Sequence, residues 1–388
     1  MSTVGWHLCL VCELLVLIIA VSENVRANLP TFDEDSRMRI LLLPFATRAG
    51  STIYRVRASD PDFDHPLEFS FTSLKHPKLL SLEILPCGKQ HSVCEANVIL
   101  NEAVELDKIY ELSLSVRDTS GGITTVFCTI QATNASSSAT DSFQHLNQYL
   151  TVPENLPRDS VVDYFIARKN PNNIRGIRVE LRQSWNFRIA DKLAGSDRTN
   201  CSIILEQPLD FETQTVHILR ILAVNAYVDN RLDTRNVVEV VIYVFVMDVQ
   251  DTPPFFVRAP PITAVSDKLE IGKVVLRVKA EDGDKGNPRD IHYVIMVDNN
   301  PFAPFFFMEP QTGELKVRKK LVPLNQMVRS KAPFLLTIMA EELGSLINEA
   351  NTTTTVDIAL MVEDETNDPP EFNSDRYAVF YVWFLTNL

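Results

Sequence analysis

The chain has 388 residues, of which 45% are hydrophobic, and its formal net charge is −13. Two to four domains are expected at this length, with enough apolar residues for each to bury a core. The acidic balance argues against nucleic acid and anionic lipid as partners and suits divalent cations.

The first 27 residues are interpreted as a signal peptide. An apolar run from Leu8 to Val21 has the length of a signal-peptide core, and small residues that could mark cleavage follow it. No Lys or Arg precedes the run and Glu13 interrupts it, so a membrane anchor is the alternative. Because the run is short for a span of about 20 residues, we expect secretion.

The cysteines and sequons fit an extracellular chain. Cys87 and Cys94 lie close together in a polar stretch, so we expect them to form a small loop disulfide. Cys128 and Cys201 fall in different predicted domains, and we expect both to be buried thiols. Candidate glycosylation sequons begin at Asn134, Asn200 and Asn351.

An internal repeat sets the architecture. Three segments beginning at Leu43, Val152 and Val265 align without gaps, and each leads at the same offset into an alternating strand. Corresponding positions in them lie 109 and 113 residues apart. A period of this length is a whole domain rather than one unit of a solenoid.

The strand signals are clear within each period. Residues Tyr110 to Val116 alternate apolar and polar, as in a half-buried strand. Residues Val237 to Met247 are apolar almost throughout, which predicts a strand covered on both faces. No long helical periodicity competes, so we predict an all-β fold of tandem Greek-key β-sandwiches, each of about seven strands.

Two acidic motifs follow the apolar strand in a fixed order. The strand ends in Asp248-Val249-Gln250-Asp251 before a double proline, and about thirty residues later comes a turn with Asp282, Asp284 and Asn287. Acidic turns of this kind make oxygen cages for Ca²⁺. Together the motifs resemble the inter-repeat calcium site of a cadherin: a D-x-N-D linker, here with Gln250 for Asn, and then D-x-D with a trailing Asn.

The resemblance implies a domain organisation in a linear array. The repeats would span residues 28–136 (divergent), 145–253 and 256–370, with the start of a truncated fourth repeat at 371–388. No Trp lies near the expected mature amino terminus, because the first Trp after Trp6 is Trp185. The chain therefore resembles a non-classical cadherin, of the protocadherin-like or atypical kind.

The resemblance also implies a Ca²⁺ site at the junction of the second and third repeats. The family motifs correspond to Glu154, Asp210, Glu212, Asp248, Gln250, Asp251, Asp282, Asp284, Asn287 and Glu342. Like charges about 4 Å apart repel by about 4 kcal/mol at an effective dielectric of about 20. We therefore expect the junction to be rigid only with cations. The alternative is that these residues are solvated loop acids.

The other ligand positions are weaker. Asp60 and Asp62 match D-x-D in the first repeat and Asp118 matches a late aspartate, so the outer tip of that repeat is a second candidate metal site. The alternative is that these acids only shape a solvated turn. At the junction of the first and second repeats nearly every ligand position is lost, with Phe45 standing where Glu is needed. We expect that junction to be calcium-free and either bent or flexible.

The sequence predicts a calcium-dependent cell–cell adhesion protein that contacts other cadherin-type extracellular domains, homophilically or heterophilically. The expected location is extracellular or at the plasma membrane, with any membrane attachment through a region outside this chain. The alternative is a secreted ligand or decoy that binds a partner without adhering cells, which the absence of a membrane span favours if the chain is complete. No zinc-protease, P-loop, G-x-S-x-G or G-x-G-x-x-G motif occurs, so an enzyme is not expected.

Overall fold

The computed structural model describes residues 28–363, apart from 89, 136–138, 172–174, 194–196, 227, 229–230, 329–331 and 346–351. The predicted signal peptide, the expected fourth repeat and Asn351 lie outside the described residues. The chain divides into two compact units, Met1–Met247 and Asp248–Leu388. None of the described helices has the length and apolar character needed to cross a bilayer.

The first unit begins with a sandwich of two four-stranded sheets, ordered β1-β3-β6-β5 and β2-β8-β7-β4. Its strands are β1 (Thr31–Phe32), β2 (Ile40–Pro44), β3 (Thr52–Ser59), β4 (Glu68–Thr72), β5 (Leu80–Ile84), β6 (Cys94–Leu100), β7 (Ile109–Arg117) and β8 (Ile123–Thr133), with a 3₁₀ turn at Glu34–Ser36. We call residues 31–133 the first sandwich. The edge strand β2 pairs with β8 in parallel.

A second sandwich, residues 143–247, completes the first unit. Its sheets are ordered β13-β14-β11-β9 and β10-β16-β15-β12. After helix α1 (Ala139–Ser142) come β9 (Phe143–Gln144), β10 (Tyr149–Pro153), β11 (Val161–Arg168), β12 (Arg178–Arg182), β13 (Phe187–Leu193), β14 (Arg198–Leu205), β15 (Val216–Val224) and β16 (Val237–Met247).

The second unit contains the third sandwich, residues 255–363. Its sheets are ordered β18-β25-β24-β21, β19-β23-β22 and β17-β20. Its elements are β17 (Phe255–Arg258), β18 (Ile262–Ser266), β19 (Val274–Arg277), β20 (Lys279–Glu281), β21 (Ile291–Ile295), a 3₁₀ turn (Ala303–Phe305), β22 (Phe306–Met308), β23 (Glu314–Val317), α2 (Val322–Met327), β24 (Phe334–Glu342) and β25 (Thr353–Glu363).

Each sandwich has its own core, built by residues that alternate along the strands. In β7, Tyr110, Leu112, Leu114 and Val116 all turn into the first core, because side chains two residues apart share one face of a sheet. The second and third sandwiches bury separate clusters in the same way. The predicted all-β sandwich fold is thus confirmed.

Candidate metal centre

A cluster of three buried acids lies in the third sandwich. Asp282 and Asp284 sit in the turn after β20, and Glu342 ends β24. Their exposed fractions are 8%, 1% and 3%, and one carboxylate oxygen of each lies within 4.8 Å of the others. Carboxylates are rarely buried unless they are paired or bind a cation, so this grouping requires an explanation.

The turn is held by hydrogen bonds to its own carboxylates. Asp284 Oδ1 accepts the backbone N–H of Thr252 (2.9 Å) and that of Asp251 (3.2 Å). Asp282 Oδ1 accepts the N–H of Asp284 at 3.2 Å, and its Oδ2 accepts the N–H of Arg289 at 2.5 Å. These local side-chain bonds fix the backbone of the turn against the segment that precedes β17.

Two glycines allow this close approach. A Cβ on Gly283 would lie 2.5 Å from the carbonyl oxygen of Pro253, and one on Gly286 would lie 2.4 Å from the Cβ of Asp248. Only a residue without a side chain fits such positions. Gln250 Nε2 also donates to the carbonyl oxygen of Asn287, at 3.1 Å. The predicted linker residues and the predicted D-x-D turn of this unit are therefore brought together.

Glu342 carries the clearest sign of a cation site. Its Oε2 pairs with Arg289 Nη1 at 3.1 Å, whereas its Oε1 is buried and has no hydrogen-bond partner in the described structure. Burial and the charge of Asp282 raise the pKa of Glu342, and Arg289 offsets only part of this rise. Hard oxygens that repel one another and retain an unsatisfied acceptor fit Ca²⁺. Sequence reasoning missed Arg289, since no motif marks it.

The predicted acids of the second sandwich lie beyond the ends of its strands. Glu154 follows β10, is 5% exposed, and donates its N–H to the carbonyl oxygen of Met247 at the end of β16 (3.1 Å). Its Oε2 accepts the N–H of Phe211 at 2.6 Å. A carboxylate oxygen of Glu154 and one of Glu212 lie within 4.8 Å of each other.

Asp210 of the same sandwich shapes its own loop. It accepts the N–H of Thr213 at 2.9 Å and the hydroxyl of the same residue at 2.7 Å. These bonds fix the backbone between Asp210 and Glu212. The position of both acids in the loop therefore follows from local side-chain bonding.

The predicted tip acids of the first sandwich are only partly grouped. Asp60 and Asp118 are 2% and 4% exposed, and the Oδ2 of each is buried without a hydrogen-bond partner in the described part of the chain. Asp62 instead accepts hydrogen bonds from the side-chain amide (2.9 Å) and the backbone N–H of Asn28. The three acids do not form one of the close clusters found among the described residues.

Asp118 is charged despite its burial. Burial acts to raise its pKa, but hydrogen bonds from the Ser120 hydroxyl and the Gly122 N–H (2.7 Å) hold the pKa of Asp118 below its usual value. Gly122 also passes so close that a Cβ there would lie 2.4 Å from Asp118 Oδ2. The tip thus keeps a buried carboxylate in its ionised form.

The structure also shows the cysteines and two of the candidate glycosylation sites. Cys87 and Cys94 form a disulfide with their Cα atoms 5.4 Å apart. Cys128 and Cys201 are buried thiols. Of the sequon asparagines, Asn134 and Asn200 are exposed.

No family model matches the chain, but several curated proteins are similar to it in sequence. Cadherin-86C of Drosophila melanogaster is 39% identical to it over 365 residues, which cover 94% of this chain and 19% of the relative. The chain is a non-classical member of the cadherin superfamily. The family predicted from the acidic motifs is therefore confirmed.

Two further relatives match almost the whole of this cadherin chain. Cadherin-related family member 1 of Xenopus laevis is 28% identical over 96% of the chain and 41% of its own length. Cadherin-23 of Homo sapiens is 26% identical over 96% of the chain and 10% of its own length. The chain spans less than half the length of each of these curated relatives.

Proposed function

We propose that this cadherin chain is an extracellular part of a calcium-dependent cell–cell adhesion protein, with calcium bound at the acid cluster of the third sandwich. The observation that carries the proposal is the buried group of Asp282, Asp284 and Glu342, with Glu342 Oε1 lacking a partner in the described structure. Membership of the cadherin superfamily supports the same assignment, including contacts with other cadherin-type domains.

The residues have distinct parts in this proposal. Asp282 and Asp284 hold the turn through backbone hydrogen bonds, and their carboxylates, which have lone pairs beyond these bonds, bind the cation. Calcium supplies positive charge and coordination that offset the repulsion among the carboxylates. The family pattern completes the ligand set with Glu154, Asp210, Glu212, Asp248, Gln250, Asp251 and the Asn287 carbonyl. We infer that this set stiffens the junction of the second and third repeats.

The repeat boundaries belong to the same proposal. We assign one repeat each to residues 28–136, 145–253 and 256–370, and the start of a fourth to 371–388. Asn134, Asn200 and Asn351 are the expected glycan positions on these extracellular repeats.

Bead aggregation tests the adhesive function. Beads coated with residues 28–372 should aggregate in millimolar calcium and disperse in excess chelator. Calorimetry on the same protein should show calcium uptake. Dispersed beads in both solutions, together with measured calcium uptake, would reject homophilic adhesion by these repeats and keep the metal site. Absence of calcium uptake would reject the site itself.

A second calcium site at the tip of the first sandwich is supported by Asp60 and Asp118. Each has a buried Oδ2 without a partner in the described residues, which a cation would satisfy. Native mass spectrometry should count one calcium ion fewer on the Asp60→Ala, Asp62→Ala double variant than on the unchanged chain. Equal counts would show that these acids only shape a turn.

A further inference from the structure

The first and second sandwiches, which lie in the same compact unit, pack against each other through the faces of their sheets. Strand β3 of the first sandwich contacts β16 of the second. Leu222, Val224 and Val237 lie on the side of their sheet that faces away from the second core, yet their exposed fractions are 0%, 1% and 0%. Buried apolar residues on an outer sheet face must be covered by a neighbour, here the first sandwich.

Complementary charges cross this contact. Three Arg–Glu ion pairs join the sandwiches: Arg55 with Glu180, Arg178 with Glu95, and Arg182 with Glu83. Each pair places one positive and one negative group side by side, so the contact is electrically favourable without any bound ion. In a cluster of carboxylates, by contrast, the neighbouring groups carry the same charge and repel one another.

Arg55 is the centre of this network. Its guanidinium is 1% exposed and binds both carboxylate oxygens of Glu180, at 2.7 and 2.6 Å, in the two-pronged geometry that gives arginine its specificity. Its Nε donates to Asn97 Oδ1 at 2.8 Å, and Glu95 lies 3.5 Å from Nη1. A buried arginine whose three guanidinium nitrogens all donate hydrogen bonds fixes one relative position of the two sheets.

The second sandwich also satisfies open backbone groups of the first. Strand β1 pairs with only the end of β3, and the amide of Asn236 bonds both the N–H and the carbonyl of Arg55, at 2.7 and 2.8 Å. On the edge strand β2, Leu42 donates its N–H to the Thr234 hydroxyl (2.9 Å) and accepts the Thr234 N–H (3.0 Å). Unpaired strand edges invite other chains, and here they are covered within the chain.

We propose that the first two repeats act as a single calcium-independent body, locked by the Arg55 network. This lock takes the place of the calcium joint whose ligand positions are lost at that junction. The pair then presents one fixed surface to a partner whatever the calcium concentration. The outer faces of β3 and β6 and the edge of β2 are closed to that partner. The inference is independent of calcium binding at the third sandwich.

Spin-label distance measurements on the whole chain test the lock. Glu111→Cys on β7 and Lys192→Cys on β13 place a label on an exposed site of each sandwich. The native thiols Cys128 and Cys201 are buried, and burial raises their pKa to about 11 and about 12. With Cys9→Ser and Cys12→Ser added, the labels go to the introduced cysteines. We expect a single narrow distance distribution that is the same in calcium and in excess chelator.

Variants at the contact should broaden that distribution. Arg55→Ala should do so, and so should Glu83→Arg or Arg182→Glu alone, whereas the Glu83→Arg, Arg182→Glu pair should restore the narrow peak. The control Arg188→Ala removes an exposed pair with Asp159 within the second sandwich and should change nothing. If Arg55→Ala does not fold, the variants Glu83→Arg and Arg182→Glu and their combination still test the proposal.

Three results would overturn the proposal. The first is a broad distribution in the unchanged chain, or one that narrows only with calcium. The second is an unchanged peak in all three single variants. The third is loss of the peak when labelled chains are diluted with unlabelled chains, because the contact would then join two copies of the chain.

Discussion

The contact between the first two sandwiches and the acid cluster of the third both bury charged side chains, but the signs of the charges are arranged differently. The contact pairs each buried arginine with carboxylates, so its charges cancel within the protein. The acid cluster groups Asp282, Asp284 and Glu342 with Arg289 as the cation paired to Glu342. The first arrangement balances its charges as the chain folds, and we propose that a cation completes the second.

Together, the two proposals give one family two kinds of joint built on similar sandwiches. Asn225 illustrates the change: it stands where the family pattern has a calcium-binding aspartate, and its Nδ2 donates to the carbonyl oxygen of Gly176 at 3.0 Å. A neutral amide in this place makes a structural hydrogen bond and brings no charge that needs a metal. Calcium should therefore affect the acid cluster of the third sandwich and leave the contact between the first two sandwiches unchanged.

The largest effect should come from Arg55→Ala. Removing Arg55 leaves Glu180 with only Arg178 among the described residues. It also takes the donor from Asn97 Oδ1, and each lost hydrogen bond to a charged group costs about 1.5–3 kcal/mol. Thermal melting of the first unit should shift accordingly, to the same extent in calcium and in chelator. Arg188→Ala is the matched control, because exposed pairs contribute about 0–1 kcal/mol. A melting temperature equal to that of the control would mean that Arg55 does not hold the contact.

Asp284→Ala should have the next largest effect, which is a loss of calcium affinity. Its carboxylate accepts two backbone N–H groups and is proposed to bind the ion. Loss of an outer partner of a metal site costs about 10–100-fold in affinity, and loss of a direct ligand should cost at least as much. Calorimetric titration measures this change.

Asp357→Ala provides the comparison for Asp284→Ala. Asp357 lies on β25 of the same sandwich and accepts a hydrogen bond from the exposed Thr337 hydroxyl at 2.6 Å. It should leave calcium affinity unchanged. Equal affinity for the two variants would remove Asp284 from the ligand set.

The sequence predicts the proximity of the acids in the turn after β20 because their motif is local. Asp282 and Asp284 are two residues apart in one turn, so their proximity follows from the chain itself. The covering of Val237 to Met247 on both faces is right only for the amino-terminal part, since Phe245 and Met247 are 40% and 46% exposed.

The contact between the sandwiches was not predictable in the same way. Arg55 and Glu180 are 125 residues apart and belong to no motif. An arginine within a strand is ordinarily assigned to solvent, and only the fold places a carboxylate from another domain in front of it. The sequence therefore left open whether the junction of the first two repeats is bent or flexible, because it does not reveal the ion pair between Arg55 and Glu180.

Gly283→Ala should weaken calcium binding without removing a ligand. The added Cβ would lie 2.5 Å from the Pro253 carbonyl oxygen, and displacing backbone in a packed site costs about 1–3 kcal/mol. Gly176→Ala, in the second sandwich, has no heavy atom within 4 Å of the new Cβ and is the control. Calcium affinity should fall for the first variant alone. Unchanged affinity for Gly283→Ala would show that the turn can move away from the linker.

The smallest effect should be that of acid on the contact between the first two sandwiches. Burial acts to raise the pKa of Glu95, but its hydrogen bond to Arg178 and the nearby arginines hold that pKa below the ordinary value of 4.5. Arg55 and Arg178 lower the pKa of Glu180 against the effect of burial in the same way. A depressed carboxyl pKa stabilises the fold fully above the unfolded value, and this contribution is lost as the pH falls through the folded pKa.

In chelator, the melting temperature of the first unit should therefore hold between neutral pH and about pH 5 and fall below about pH 4.5, because there the unfolded chain takes up protons at these carboxylates before the folded chain does. Glu180→Gln should remove part of that acid dependence, because the variant has no proton to gain at this position. Glu111→Gln is the control, since Glu111 is an exposed residue of β7 in the first sandwich. Identical acid profiles for Glu180→Gln and Glu111→Gln would show that the charge of Glu180 does not stabilise the contact, and that apolar burial around Leu222 and Val237 holds it instead.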